Sequence, residues 1–352
     1  MSDQPSTRGK ELAEFLTFTR RSILSMPLPF VLAGCQRGPS VFSLTGQTMG
    51  THYSVIAIDE SRDLDERQVT QAVERALAEV NAQMSNWDAG SEISRFNAQT
   101  GTEPVALSAP LAEVMTAAEM VHAASDGRFD TTMGPLIELW GFGAPGAGEM
   151  PRDAEIADAL DRSGHARTLQ LGGGTLQKLQ PGAQVYLAAI GKGYGADQVG
   201  RALEGLGIGN FMVEIGGDLY ASGRNADGLP WQIGVETPST QLSGVHEVVG
   251  LSGMGLASSG DYRNFFEREG ARYSHVIDPA TGYPIDHTTG SATVIADNAM
   301  LADAWATAML TLGRERGLEI AQSRNIAVMF IDRDGEGGFT TATSLRYDEV
   351  VA

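Results

Sequence analysis

Asp303 and Thr307 stand four residues apart in a stretch, Asp297 to Leu312, that reads as a helix capped by Asp297 or Asn298 and stopped at Gly313. That spacing puts both on one helix face. A carboxylate and a hydroxyl, with no Cys or paired His nearby, suit a hard cation such as Mg²⁺ or Ca²⁺ better than zinc. The same spacing also fits a capped helix with a polar stripe, Thr307 bonding its own backbone. Upstream, His275 sits among Ser274, Asp278 and a Pro-bounded turn. Its neutral imidazole can accept a proton from an attacking hydroxyl, or it can be a satisfied histidine at a strand end. Gly191-Lys-Gly-Tyr-Gly195 offers backbone amides and the charge of Lys192 to an anion at a helix start, and reads equally as a tight strand-to-helix turn.

The elements that must position these residues alternate between strand and helix from Phe42 onward, without a linker, repeat or low-complexity tract. Glu66 to Met84 carries apolar residues at Val69, Val73, Ala76, Leu77 and Val80, a helical period, and Ala109 to Ala124 repeats it. Further helices are expected at Asp153–Ser163 and Gly193–Leu206. Strands are expected at Tyr53–Ile58, Gln184–Ala189, Phe211–Ile215, Trp231–Glu236, Val245–Leu251, Thr293–Ala296 and Ala327–Ile331. Strands often follow strands directly, which predicts one α+β domain of mainly antiparallel sheets flanked by helices. Gly141-Phe-Gly-Ala-Pro-Gly146 formally fits G-x-G-x-x-G, but it contains a proline and follows the helical Leu136–Trp140, so it reads as a loop.

With 25 basic against 44 acidic residues and a net charge of -19, the chain has no basic stripe to neutralise phosphates, which argues against a nucleic-acid partner. An acidic protein also repels an anionic substrate. A bound divalent cation would reverse the sign locally. None of the six histidines pairs at a zinc-site spacing.

Residues 1–34 read as a lipoprotein signal peptide and are set apart from the fold. Arg20-Arg21 precedes the apolar run Ile23 to Ala33, and Leu32-Ala33-Gly34-Cys35 looks like a lipobox. A twin-arginine or Sec route then delivers residues 35–352 outside the cytoplasm, on the periplasmic side in a Gram-negative cell. The single cysteine, Cys35, would carry the lipid that tethers the chain to a membrane.

Eight ordered stretches between Thr48 and Gly313 carry a more specific signal. They are Thr48-Met-Gly-Thr51; Met84-Ser-Asn-Trp87 with Ser91-Glu-Ile-Ser-Arg-Phe-Asn97; Gly127-Arg-Phe-Asp-Thr-Thr-Met-Gly-Pro-Leu136 with Leu139-Trp-Gly-Phe-Gly143; Ile190-Gly-Lys-Gly-Tyr194; Glu214-Ile-Gly-Gly-Asp218; Ser258-Ser-Gly-Asp-Tyr-Arg263; His275-Val-Ile-Asp-Pro-Ala-Thr-Gly-Tyr-Pro284; and Ala302-Asp-Ala-Trp-Ala-Thr307. Together they resemble the ApbE family of FAD:protein FMN transferases, which are typically bacterial, exported and often lipid-anchored.

The resemblance implies a Mg²⁺-dependent enzyme that transfers the FMN half of FAD to a Thr or Ser of an acceptor flavoprotein through a phosphoester bond, releasing AMP. It makes Asp303, Thr307 and the Ala189 carbonyl the metal ligands, His275 the base, and Lys192 a phosphate or nucleotide contact. Mn²⁺ and Ca²⁺ remain alternative metals. Met49, Trp87, Arg128, Phe129, Asp130 and the Ile277 backbone fall where the family lines its FAD pocket, with Trp87 free to stack on a ring. Tyr186 stands where many members place an Asp that touches FAD, so contacts there are expected to be rearranged. Ser258 replaces a common Thr, and Ala306 offers no side-chain ligand where some relatives have a carboxylate, so backbone, water and substrate are expected to complete the metal site. Hydrolysis of FAD to FMN and AMP, or flavin carriage without chemistry, are the competing readings.

Overall fold

Two periods in the sequence dictate most of the structure, a computed structural model that describes residues 38–143, 150–239, 244–268 and 270–352. The signal-peptide and lipobox positions therefore lie outside the described residues, as does the second half of the Gly141–Gly146 loop. Residues Pro39–Ala352 gather into one compact unit.

The strands are β1 (Ser40–Thr48), β2 (Thr51–Asp59), β3 (Val105–Ala106), β4 (Leu169–Gly172), β5 (Thr175–Lys178), β6 (Asn210–Ile215), β7 (Asp218–Ser222), β8 (Trp231–Glu236), β9 (Val245–Leu251), β10 (Met254–Gly260), β11 (Phe265–Arg268), β12 (Ala271–Ser274), β13 (Thr289–Ala296), β14 (Ala327–Arg333) and β15 (Phe339–Thr343). The helices are α1 (Glu66–Met84), α2 (Glu92–Ala98), α3 (Ala109–Ala124), α4 (Gly134–Leu139), α5 (Asp153–Asp161), α6 (His165–Thr168), α7 (Gly191–Gly205), α8 (Ala299–Arg324) and α9 (Leu345–Val351). An eight-stranded sheet in the order β1-β2-β6-β7-β10-β13-β14-β15 is antiparallel throughout, and helices flank it. The fold is α+β, as the succession of strands implied.

Both faces of this sheet are covered, which explains why β14 reads as a continuous apolar run from Ala327 to Ile331. In β14, Val328 and Phe330 join the core beneath α8, whereas Ala327, Met329 and Ile331 face the other way. That second face is covered by the separate β8–β9 ribbon, through Trp231, Ile233, Val235, Val249 and Leu251, together with Tyr347 of α9. Among the described residues, no helix is long and apolar enough to cross a membrane.

Caps fix the helix starts. Asp65 forms a capping box with Gln68 ahead of α1, and Asn298 caps α8 by accepting from the Leu301 amide at 2.8 Å. The Asp197 carboxylate accepts from the Ala299 and Met300 amides at 2.8 and 2.9 Å, tying α7 to the start of α8. The sequence stops α8 at Gly313. In the structure Gly313 breaks the helix, with φ 71° and ψ 171°, yet the chain resumes helical geometry and runs on to Arg324.

One expected strand is absent. Gln184–Ala189 has the apolar alternation of a strand, but its backbone is satisfied mostly by side chains, with Tyr186 N–H donating to the Thr131 carbonyl at 2.7 Å, rather than by a neighbouring strand. Val185 N–H donates to Asn97 Oδ1 at 2.8 Å, the Val185 carbonyl accepts from Asn86 Nδ2 and Asn97 Nδ2, and Leu187 N–H donates to Asn86 Oδ1 at 3.1 Å. Two asparagines thus do the work of a sheet edge. The segment is left free to turn at 188–190 and deliver Ala189 and Lys192 to the site.

Candidate active site

The β7–β10 ladder pairs only Leu219–Ala221 with Met254–Leu256. Beyond it β10 keeps β13 on one side, while Ser258, Ser259 and Gly260 line a cavity of about 740 Å³. This volume lies in the range of cofactor sites. Nine of the twelve residues singled out from the sequence line it: Arg128, Phe129, Asp130, Ala189, Lys192, His275, Ile277, Asp303 and Thr307.

The acidic end of the cavity is built where α7 crosses α8. Gly193 makes the crossing possible, because a Cβ there would lie 2.9 Å from Asp303 Cβ and closer still to the Ala299 carbonyl. The Gly193 amide donates to Asp303 Oδ2 at 3.1 Å, fixing a carboxylate that is only 3% exposed. Gly193→Ala is expected to destabilise the protein by about 1–3 kcal/mol, the cost of overpacking a tight contact. Helix propensity alone would have made that change favourable by roughly 1 kcal/mol. Urea unfolding of the variant gives the sign directly.

Asp218, also 3% exposed, is the residue the sequence reading missed as chemistry. Its Oδ2 lies 2.6 Å from Lys192 Nζ, which is 3.5 Å from Asp303 Oδ2. Burial, reinforced by the charge of Asp303, pushes the Asp218 carboxyl up to about 7 against the pull of Lys192. Burial opposes the charge on Lys192, but Asp218 and Asp303 outweigh it and hold its pKa above the ordinary lysine value. With both carboxyls ionised, the two of them and one ammonium leave a net negative charge. Thr307 Oγ1, 3.2 Å from Ser259 Oγ, adds a neutral oxygen on the Asp303 face of α8.

These donors fit a hard divalent cation: every candidate ligand is an oxygen, and the residual charge is negative. Among the described residues no group of three or more His, Cys, Asp or Glu side chains is placed to hold a metal. A cation here would rest on Asp303, Asp218, the Thr307 hydroxyl and the Ala189 carbonyl, with water and substrate completing its shell.

His275 is set by the turn that follows β12. Its backbone N–H and its Nδ1 both face the Asn264 carbonyl, at 3.1 and 3.0 Å. A carbonyl only accepts, so Nδ1 carries the proton and Nε2 keeps its lone pair. Burial lowers the His275 pKa below its ordinary value, only partly offset by the Asn264 hydrogen bond and Asp261, so the ring is neutral at pH 7.

The Asp278–Gly282 turn beyond it is closed by Gly282 N–H donating to the Asp278 carbonyl at 2.8 Å and pinned by Trp140 Nε1 donating to the Gly282 carbonyl at 2.9 Å. Asp278 also pairs with Arg128. Phe142, Phe266, Tyr273 and Trp140 stack in succession, and Phe142 presents its ring at 69° to His275, the centroids 6.3 Å apart. The Leu139–Gly143 landmark thus braces the His275 turn from behind.

Three sequence-predicted residues do not line the cavity. Trp87 is 77% exposed, on the loop beside Asn86. Met49, with φ 49° in the β1–β2 turn, lies against Gly195. Tyr186 packs over Gly134 and donates to Glu138 Oε1 at 2.6 Å. Asp130 lines the wall, but its carboxylate is spent on Thr132 and the His165 amide. Ser258 is held by Thr293 at 2.8 Å.

Residues 49–330 match the ApbE family. The chain belongs to the ApbE family. It is 41% identical to the FAD:protein FMN transferase of Haemophilus influenzae over 93% of this chain and 96% of that protein. With the transferase of the same name from Vibrio cholerae it shares 39% over 90% of this chain and 95% of that one. Among solved structures, the flavin transferase ApbE from Vibrio cholerae superposes with a TM-score of 0.82 at 38% identity, covering 89% of this chain and 99% of its own. The apo flavinyl transferase ApbE of Pseudomonas stutzeri gives 0.81 at 36%, covering 90% and 98%. This ApbE chain thus shares its fold with its relatives over nearly their whole length.

Proposed function

We infer that the chain is an FAD:protein FMN transferase that moves the FMN half of FAD onto a Thr or Ser hydroxyl of an acceptor flavoprotein. The observation that carries this reading is that one cavity holds a neutral histidine with an unprotonated Nε2, a buried pair of carboxylates, and an ammonium. The acceptor hydroxyl gives its proton to His275 Nε2 as its oxygen bonds to the FMN phosphorus. The bond from that phosphorus to the bridging oxygen breaks, and AMP leaves with the electron pair. Asn264 holds the imidazole in the tautomer this needs. Phe129 and Ile277 supply apolar wall, while Lys192 and Arg128 supply positive charge for the diphosphate.

Asp303, Asp218, Thr307 and the Ala189 carbonyl would hold Mg²⁺, which supplies neutralisation of charge on the diphosphate oxygens. In an acidic chain of net charge -19 that neutralisation is also what admits an anionic substrate. Arg20-Arg21, the apolar run and the Cys35 lipobox support an exported protein tethered to a membrane through a lipid on Cys35.

Incubating the purified protein with FAD, Mg²⁺ and a Thr-containing flavin-acceptor domain should yield AMP and an acceptor heavier by FMN. EDTA should stop both. FMN and AMP without labelled acceptor, even with a range of acceptor domains, would instead identify a hydrolase.

A further inference from the structure

Asp218 and Asp303 are both almost fully buried, and one ammonium serves them both. Lys192 Nζ also donates to the Ala188 carbonyl at 3.3 Å, one residue before Ala189. Two carboxylates and a main-chain carbonyl are the oxygen set that a small hard cation takes. The lysine is therefore seated where the site's own chemistry calls for a metal ion.

Ammonium and metal cannot share that seat cheaply. Like charges a few ångströms apart repel strongly when shielded from water. With both carboxyls ionised and Lys192 in place the trio carries one negative charge; a divalent cation added to it would make the site positive, whereas the cation with the two carboxylates alone makes it neutral. Lys192 has a way out, because its side chain is 27% exposed on the cavity side, whereas Asp218 and Asp303 are held within the wall. Its four-carbon stem gives the head freedom to swing.

We propose that Lys192 is a built-in counter-ion for the Asp218–Asp303 pair, that a divalent cation must displace it, and that Asp218 then shares the cation with Asp303. The inference rests on the reading of this cavity as a site for a cation and FAD. Its consequence is positive coupling: the displaced ammonium is repaid by the diphosphate of the dinucleotide, so each of the two ligands favours the other.

Mn²⁺ binding to the purified protein without nucleotide, followed by the loss of the free-ion EPR signal, tests it. Lys192→Met is expected to bind Mn²⁺ at least about tenfold more tightly than the wild type. Lys192→Arg should stay near wild type, and adding Asp218→Asn to Lys192→Met should cancel the gain. Equal or weaker binding by Lys192→Met overturns the proposal. If that variant is unfolded without metal, a rise in melting temperature with Mn²⁺ larger than the wild type's supports the proposal, and a smaller or equal rise overturns it. Failure of the wild type to bind Mn²⁺ even with FAD present would instead remove the cation reading of the cavity.

Discussion

Replacing Asp303 by Ala is expected to lower FMN transfer by about 10³ or more, because the several kcal/mol that a cation would contribute to a phosphoryl-type transition state would leave with the carboxylate proposed to hold it on α8. Asp303→Asn separates charge from shape. The amide oxygen can still accept from Gly193 N–H, so the α7–α8 crossing should hold and the melting temperature should stay closer to wild type than that of Asp303→Ala. Activity should be lost in both variants. Raising Mg²⁺ should recover little in either, since the fault lies in the donor set rather than in occupancy. Turnover of Asp303→Ala at the wild-type rate would remove this residue from the cation site, whatever its effect on folding.

Local chemistry made some of this architecture legible before any coordinates. Helices α1 and α3 follow from an apolar stripe at helical spacing, and both span the residues expected of them, with Asp65 and Ser108 capping their starts in the structure. The Gln184–Ala189 segment failed for a tertiary reason: its partners, Asn86 and Asn97, lie about ninety or a hundred residues away, and no local pattern announces that side chains will replace a strand. Gly313 was read correctly as a break but not as a bend, since a positive φ ends a helix or interrupts it according to what packs beyond.

The site shows the same division. Asp303, Thr307 and His275 advertise themselves by spacing and neighbours. Asp218 does not, because its importance comes from losing water beside Lys192 and Asp303 after the chain has folded. The Gly216-Gly217 pair before it, both with positive φ, is the two-residue hairpin turn between β6 and β7, and on its own it announces a tight turn rather than a site. The aromatic stack behind His275 was equally hidden, since Phe142, Phe266 and Tyr273 come from separate elements.

For His275 the expected result is a change in the shape of the pH profile as well as in rate. A general base is worth about 10² to 10⁴ in rate, so His275→Gln should fall by a factor in that range. In the wild type, protonation of the ring removes the lone pair that accepts the hydroxyl proton. Burial disfavours the protonated ring and so lowers its pKa. Activity should therefore rise with pH through a midpoint below 6.5, the ordinary histidine value, and level off by neutrality. The profile must be taken at saturating Mg²⁺, because Asp218, pushed up to about 7 by burial and by Asp303, otherwise titrates in the same window. With the metal in place and His275→Gln as the enzyme, the acid limb should disappear and the residual rate should vary little between pH 5 and 7. A limb that persists unchanged in the variant would assign it to another group and leave His275 a positioning role; a rate that also stays at the wild-type level would remove His275 from proton transfer altogether.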